Sequence, residues 1–584
     1  KKAKAMRSLF LSTIASTIGF GLLLVVVGFG QLPILVVSSS ASAPASSTSN
    51  SPRPPQQPPT WLTPNLAGNR ERLAEYVELA RQRHDKAVLQ AQESYFHGDK
   101  DEVNDDRQQQ QQQIFDEYSL RKNDVVLPDF NDELDPTLFV TSSSSPMFSR
   151  QECAELIEMA ESYFDGKDWT RLPSGQYDVA GFWIRDIPDV HKWFNRMLQQ
   201  RLFPAMLSRF PDFCNPGDMS DLCVDNAYLF KYTPETGRRT DTHTDSGCMS
   251  FTIALNPKDD YKGGGTWFES LNENNGIIEM DAGQVTLRPG GVRHCGHAVT
   301  DGTRYIIGGF CMYRKRVEHV RMLLQLAHEY SGEGKLDKAQ EALEAAILLN
   351  PRLDSPFSHL SDVLTKKGQG DVAKRALQHC LKNVNPRSQE VAYTLAGKLI
   401  EDNDWAEAKR CLQVCLDVDP ADVEALEAMA QVHAAENDPT KELDTYQQIV
   451  SIPDVKPEIL GRVYCNLGVL SQGKDEEFVF FKKSLEVAPT SFSAKYSLGC
   501  AHSSREQWVD GIEWFKNAVD AANDGSDDEA KALRMLYTAV AKKMQQDTKQ
   551  QKATSSPSRE EMIQVFSDLM GASNYAKMTK LGRQ

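Results

Sequence analysis

Cysteine is scarce in this sequence, with 11 residues among 584. They form no C-x-x-C pair, which excludes a disulfide-dense scaffold and a zinc ribbon. An excess of basic residues is also missing. Lys and Arg number 65 against 81 Asp and Glu, a net charge of −16. That balance argues against a nucleic-acid partner, which asks for a basic face, and is compatible with basic peptide or protein substrates. The rest of the composition is ordinary for a globular chain, 40% hydrophobic and 25% charged. The length is enough for roughly two to four domains.

The N-terminal stretch is unlike the rest. Lys1, Lys2, Lys4 and Arg7 are followed by an uncharged run from Ser8 to Val37, almost wholly apolar from Gly19 onward. About 20 apolar residues span a bilayer as a helix, and a secretory signal core is usually about 7–15. Residues 1–37 are therefore expected to be an uncleaved signal anchor. Ala41-Ser-Ala43 is the competing cleavage signal, with Pro44 directly after it to hinder cleavage. Positive residues stay on the cytosolic side. The expected placement is thus a single-pass type II protein of the endoplasmic reticulum or Golgi membrane, with the bulk of the chain luminal. Residues 38–65, rich in Ser and Pro, are expected to form a stalk. Residues 66–124 are expected to form a polar stem, either helical and self-associating or partly disordered.

The chemistry-bearing motifs fall between Tyr232 and Tyr313. In order they are Asp241-Thr-His243-Thr-Asp245, Gly263-Gly-Gly-Thr-Trp-Phe268, Arg293-His-Cys-Gly-His297 and Gly302-Thr-Arg-Tyr305. A His and an Asp two apart on a strand point to the same side. A second His about fifty residues on can come from a neighbouring strand. Two imidazoles and one carboxylate leave three positions of a metal open, a set suited to Fe(II) and oxygen chemistry. Arg304 lies ten residues after His294. That offset allows one turn and a strand running back past the metal, where a guanidinium is suited to hold a carboxylate bidentately. His297 is the rival third ligand, but it leaves only seven residues to Arg304.

These four elements, in this order and spacing, resemble the Fe(II)/2-oxoglutarate-dependent dioxygenases of the prolyl 4-hydroxylase and procollagen lysyl hydroxylase group. Phe251-Thr-Ile-Ala-Leu-Asn256, the three glycines and Gly302-Thr-Arg-Tyr305 are most similar to the lysyl branch. The resemblance implies His243, Asp245 and His294 as catalytic metal ligands and Arg304 as the anchor for 2-oxoglutarate. It also implies Tyr232 as a co-substrate contact, about one residue further upstream than is usual. L-Ascorbate is the implied reductant that restores oxidised iron.

Residues 125–318 are expected to hold this dioxygenase domain, a double-stranded β-helix, or jelly roll, with flanking helices. Strands are expected at 138–141, 224–232, 249–256, 265–269, 284–288 and 304–313, with no helix between Tyr232 and Tyr313. A capping box, Ser149 with Glu152, opens a helix over Cys153, Leu156, Ile157 and Ala160. A second helical pattern covers Val190 to Phe210. Cys214 and Cys223 flank a Pro- and Gly-containing loop and are a candidate bridge in an oxidising lumen.

From about Arg321 the period changes. Pro351, Pro386, Pro420, Pro453 and Pro489 end successive units, at steps of 35, 34, 33 and 36 residues. Leu326-Ala327, Ala339 and Ala346 in one unit match Leu395-Ala396, Ala408 and Cys415 in another. The pattern resembles tetratricopeptide repeats. An all-α solenoid of about six units with a capping helix is expected over 319–547, followed by a polar tail over 548–584. Stacked repeats make a concave groove, so a peptide substrate or a protein partner is expected there. The combined reading is a multidomain peptidyl hydroxylase of secretory-pathway proteins, acting on proline, with lysine the alternative. A reading from another class remains open: a repeat scaffold whose dioxygenase domain is inactive or senses oxygen.

Overall fold

A computed structural model describes residues 61–62, 66, 69–95, 114–119, 139–164, 169, 179–211, 219–234, 240, 242–245, 247–271, 276–452, 455–550 and 559–581. The expected anchor and nearly all of the expected stalk lie outside these residues. Among the described residues no helix is long and apolar enough to cross a membrane.

The first half of the chain is built on one antiparallel sheet. Its strands are β1 (Phe115–Ser119), β2 (Phe139–Ser143), β3 (Ala180–Trp183), β4 (Leu222–Tyr232), β5 (Met249–Ala254), β9 (Val285–Pro289) and β12 (Arg304–Tyr313). They lie in the order β1-β2-β9-β5-β12-β4-β3. Between β5 and β9 come β6 (Tyr261–Gly263), β7 (Thr266–Phe268) and β8 (Ile277–Ile278), and after β9 come β10 (His294–Gly296) and β11 (Val299–Gly302). These five make a three-stranded sheet, β10-β7-β8, and a two-stranded ribbon, β11-β6.

Strand alternation divides the large sheet into two faces. Phe251, Ile253, Leu287, Ile307 and Leu229 share one apolar core with Cys153, Leu156, Ala160, Val190 and Phe194. Those last residues come from helices α2 (Arg150–Phe164) and α3 (Pro188–Met197), and α4 (Phe203–Arg209) follows through a π-helical turn at Leu198–Leu202. The helices thus cover one face and leave the other, with Ser250, Thr252, Arg288 and Arg304, to the chemistry. The expected capping box is present at the start of α2: Glu152 N donates to Ser149 Oγ at 3.2 Å, and Ser149 N donates to Glu152 Oε2 at 2.7 Å.

The described residues of the segment expected as a separate stem pack into the fold instead. Helix α1 (Arg70–Tyr95) buries Tyr76, Ala80, His84, Val88, Ala91 and Tyr95, an i, i+4 stripe that association with its own chain removes from water. One end packs on the first repeat, where Tyr76 Oη donates to Glu341 at 2.8 Å. The other end packs Val88 and Ala91 on Cys223 and Met312 of the sheet. Trp61, placed by sequence in the stalk, stacks edge-on against Phe357 at 5.3 Å. β1, also within the expected stem, pairs with β2 along its whole length. The sheet therefore starts before residue 125. Strands β3, β6, β8, β10 and β11 were likewise not expected, being two to four residues long. Cys223 is a buried thiol against the Met312 carbonyl at 3.6 Å, and Cys214 lies outside the described residues.

The second half is a helical solenoid. Six helix pairs follow one another: α5 (His319–Gly332) with α6 (Leu336–Leu349), α7 (Ser355–Lys366) with α8 (Gly370–Asn383), and α9 (Gln389–Glu401) with α10 (Trp405–Val418). Then come α11 (Val423–Ala435) with α12 (Pro439–Ser451), α13 (Pro457–Leu470) with α14 (Glu476–Val487), and α15 (Phe492–Ser504) with α16 (Trp508–Ala521). Small residues let the paired helices cross closely: a Cβ on Gly499 would stand 2.6 Å from the Phe515 ring. Cys411 and Cys415 are buried on α10 as packing residues. The long helix α17 (Asp527–Gln550) packs on α16, and α18 (Arg559–Met570) and α19 (Ala572–Leu581) follow. Within the expected polar tail, α19 is tied back by Lys577 to Glu529 at 2.7 Å.

Candidate metal centre

His243 follows β4 on a loop, where its backbone pairs with that of His294. Its N–H donates to the His294 carbonyl and its carbonyl accepts from His294 N, both at 2.9 Å. Two residues on, Asp245 N donates to Gly290 O at 2.8 Å. These bonds fix the H-x-D turn against both flanks of β10. The result is a group of three side chains, His243, Asp245 and His294, whose ligand atoms lie within 4.8 Å of one another. Asp245 faces both rings, with Oδ1 3.6 Å from His243 Nε2 and Oδ2 3.5 Å from His294 Nε2. His297 is not in this group. It is half-buried, with Nδ1 3.1 Å from the Gly264 carbonyl.

The surroundings set the protonation of the group. His294 Nδ1 lies 2.8 Å from the Val292 carbonyl, so that nitrogen carries the proton and Nε2 offers its lone pair. Burial, with Arg288 beside it, pushes the imidazolium pKa down to about 3. Burial alone pushes the Asp245 carboxyl up, but His294, Arg288 and His243 outweigh it and hold the carboxyl well below the usual range. A neutral imidazole and an ionised carboxylate are the forms a divalent metal takes. Phe268 stacks on the His294 ring at 5.8 Å.

Arg304 opens β12 and stands opposite Tyr232 of β4 in register. Its guanidinium lies 5.3 Å from the centre of the Tyr232 ring. Gly263, Gly264 and Gly265 all have positive φ, at 71°, 75° and 90°. A Cβ at Gly264 would meet the Tyr261 ring at 2.7 Å and Arg304 Cδ at 3.2 Å, so the glycine run lets the backbone close around the arginine stem. The side chain is 2% exposed, yet among the described residues its Nε and Nη1 find no hydrogen-bond partner. A buried cation with unpartnered donors is costly to fold, and an anion of the right length is what satisfies it. The donor set and this arginine fit an Fe(II) ion with a dicarboxylate co-substrate.

The residue missed by sequence reasoning is Arg288. Its Nη2 lies 2.8 Å from His294 Nε2 and 3.1 Å from Asp245 Oδ2, and Nη1 donates to Thr252 Oγ1 at 3.0 Å. The one signal for it was a charge in alternation with Val285 and Leu287, on the same side of the strand as Thr286. Trp267 and Cys295 sit opposite each other in the β7–β10 pair; it is the neighbouring Phe268 that packs on the candidate ligand.

The strand carrying His294 also meets the solenoid. Arg293 Nη2 donates to Gln389 Oε1 at the start of α9 at 3.0 Å, and Arg293 Nε lies 3.0 Å from Glu269.

Comparison with known proteins agrees with both halves in part. Residues 320–353, which are α5 and α6, match the tetratricopeptide repeat family model. A PKHD-type hydroxylase of Rippkaea orientalis is 34% identical over 86 residues, 13% of this chain and 38% of the relative. A PKHD-type hydroxylase of Prochlorococcus marinus is 30% identical over 121 residues, 20% of this chain and 50% of the relative. The chain thus spans half or less of the length of these curated relatives. Among solved structures, a tetratricopeptide repeat protein from Parabacteroides merdae is 15% identical, with a TM-score of 0.31 over 43% of this chain and 98% of that one.

Proposed function

We propose that the chain is an Fe(II)- and 2-oxoglutarate-dependent hydroxylase of a peptidyl residue, with its repeats binding the substrate protein or a partner. The observation that carries this is a His-Asp-His group in one domain with a buried arginine that has unpartnered nitrogens among the described residues. The seven-stranded sheet and the small sheet bearing His294 are read as the two walls of a jelly roll, with the centre between them. The PKHD-type relatives, though partial, support the same chemistry.

In this reading His243, Asp245 and His294 would hold the iron, each offering one imidazole nitrogen or carboxylate oxygen. The bound iron supplies oxygen activation, coupled to oxidation of 2-oxoglutarate to succinate and CO2. The protein's own residues bind and orient. Arg304 clamps the far carboxylate of the co-substrate, and Tyr232 and Tyr261 wall the guanidinium. Burial pushes the Tyr232 phenol up to about 12, so it stays protonated as a donor. The ion pair of Arg293 with Glu269 and its bond to Gln389 tie the third repeat to the strand that carries His294, which supports entry of a peptide from the repeat array. L-Ascorbate is the reductant expected to maintain Fe(II). The basic and then apolar N-terminal run of the sequence supports a proposed location on a secretory-pathway membrane with the catalytic part luminal.

The target residue is read as proline. The test offers the protein peptides in which only Pro or only Lys can be hydroxylated, with Fe(II), 2-oxoglutarate and ascorbate, and follows gain of one oxygen by mass spectrometry. Oxygen on the Pro peptides bears the reading out. Oxygen on the Lys peptides alone transfers the activity to lysine, and none on either, with no succinate formed, removes the enzyme reading.

A further inference from the structure

Arg288 is a cation buried inside a cation site. It is 4% exposed, it is charged at every accessible pH, and a guanidinium offers no lone pair to a metal. Its Nη2 nevertheless sits 2.8 Å from His294 Nε2 and 3.1 Å from Asp245 Oδ2, two of the three atoms that face the centre. The N–H pointing at Nε2 uses the same lone pair that a metal needs. Nη1 is moored to Thr252 Oγ1 on the next strand at 3.0 Å, so the head can release Nε2 and still keep Asp245.

We propose that Arg288 is the built-in counter-cation of the metal-free centre, a positioning residue that pairs with Asp245 and caps His294 until a divalent ion takes its place. The proposal rests on reading His243, Asp245 and His294 as the metal ligands.

The argument is a balance of buried charge. Without a metal, a carboxylate buried beside two imidazoles needs a cation for compensation, and breaking a buried pair by removing one partner is strongly destabilising. Arg288 supplies that compensation. Once a divalent ion sits between the same groups, the arginine is a like charge beside it and has lost its contact with Nε2. Arg288 therefore stabilises the metal-free protein and weakens metal binding, through the same contacts. A residue that only supports the fold would move both quantities in one direction, because loosening the site lowers stability and affinity together.

The test uses the full chain stripped of metal. Mn(II), a stand-in for Fe(II) that does not oxidise in air, is titrated while the free ion is followed by electron paramagnetic resonance. The thermal midpoint is measured with and without it. Arg288→Met is expected to lower the metal-free midpoint by several degrees while tightening Mn(II) binding by about tenfold, the order expected when a buried anion is left without a partner. Arg288→Lys keeps one charge but cannot reach Asp245, His294 and Thr252 together. It is expected to fall between wild type and Arg288→Met in both quantities, and it serves if Arg288→Met fails to fold without metal. Asp245→Asn is the control and should abolish Mn(II) binding. If wild type binds Mn(II), Asp245→Asn does not, and neither Arg288 variant binds more tightly, the counter-cation role is wrong and the metal centre stands. If wild type and Asp245→Asn behave alike toward Mn(II), the ligand assignment falls and the role of Arg288 with it.

Discussion

Glu318 Oε1 accepts the backbone N–H of Cys248 at 3.0 Å, three residues past Asp245. Glu318 belongs to the junction with the solenoid, so the turn that carries the candidate carboxylate ligand is bonded to the start of the first repeat. The same carboxylate takes Arg321 Nη1 at 2.7 Å, and Arg321 also pairs with Asp225 of β4. Glu318 N lies 3.4 Å from His84 Nδ1 of α1, whose Nε2 is 2.9 Å from the Tyr313 carbonyl. Sheet, N-terminal helix and repeats therefore meet in one buried charged knot.

Glu318→Ala removes a partner from Arg321 and from Cys248 N. It is expected to cost about 3 kcal/mol, the scale for breaking a buried ion pair, and to change the unfolding of sheet and solenoid together. Urea denaturation followed by tryptophan fluorescence and by circular dichroism checks this. Two separate transitions already in wild type would show that the junction does not couple the halves.

The junction also predicts a pH dependence. Burial first, then nearby His84, lowers the His319 pKa below its ordinary value. A histidine held neutral on folding contributes stability that is complete above its unfolded pKa and is lost as pH falls through that value toward the folded one. The protein is expected to lose stability between about pH 7 and pH 5, the range around an unperturbed histidine, and His319→Gln should reduce that slope. An unchanged slope in the variant would assign the effect to other groups.

Arg304→Met separates stability from function. It deletes a buried cation whose Nε and Nη1 have no protein partner, so the ligand-free protein should gain about 1 kcal/mol, the scale of an unsatisfied buried donor. The same change should weaken 2-oxoglutarate by roughly 30-fold or more, the usual cost of losing one side of a buried charge pair. Calorimetry with 2-oxoglutarate and Mn(II) reads both. Lower stability together with unchanged co-substrate affinity would contradict the role given to Arg304.

The capping box gives a smaller, local prediction. Ser149→Ala removes the acceptor for Glu152 N and should cost about 1 kcal/mol, read as a shift of the urea midpoint with unchanged slope.

What could be read from the sequence was what is encoded locally. The capping box needs only Ser149 and Glu152. The repeats need only a period, and their helices end beside Pro351, Pro386, Pro420 and Pro489 as expected. His243, Asp245, His294 and Arg304 could be picked out by spacing, but His243 and Asp245 stand on a loop and not on the strand whose alternation was expected to bring them to one side. The misses depend on partners far away in the chain. The strand Phe115–Ser119, read as Phe-Asp-Glu-Tyr-Ser, has no apolar run of its own and exists because β2 lies beside it. The docking of α1 on both Glu341 and Met312 likewise depends on partners far along the chain. Arg288 looked like the polar end of a strand, and only the arrival of His294 and Asp245 from elsewhere gives it a role.

The most direct test of the account is 2-oxoglutarate turnover by the full chain with Fe(II), measured as succinate formed, in wild type, His243→Ala and His294→Ala. The account predicts succinate from wild type and none above background from either variant. Equal succinate from all three, or none from wild type that demonstrably binds Fe(II), would contradict it.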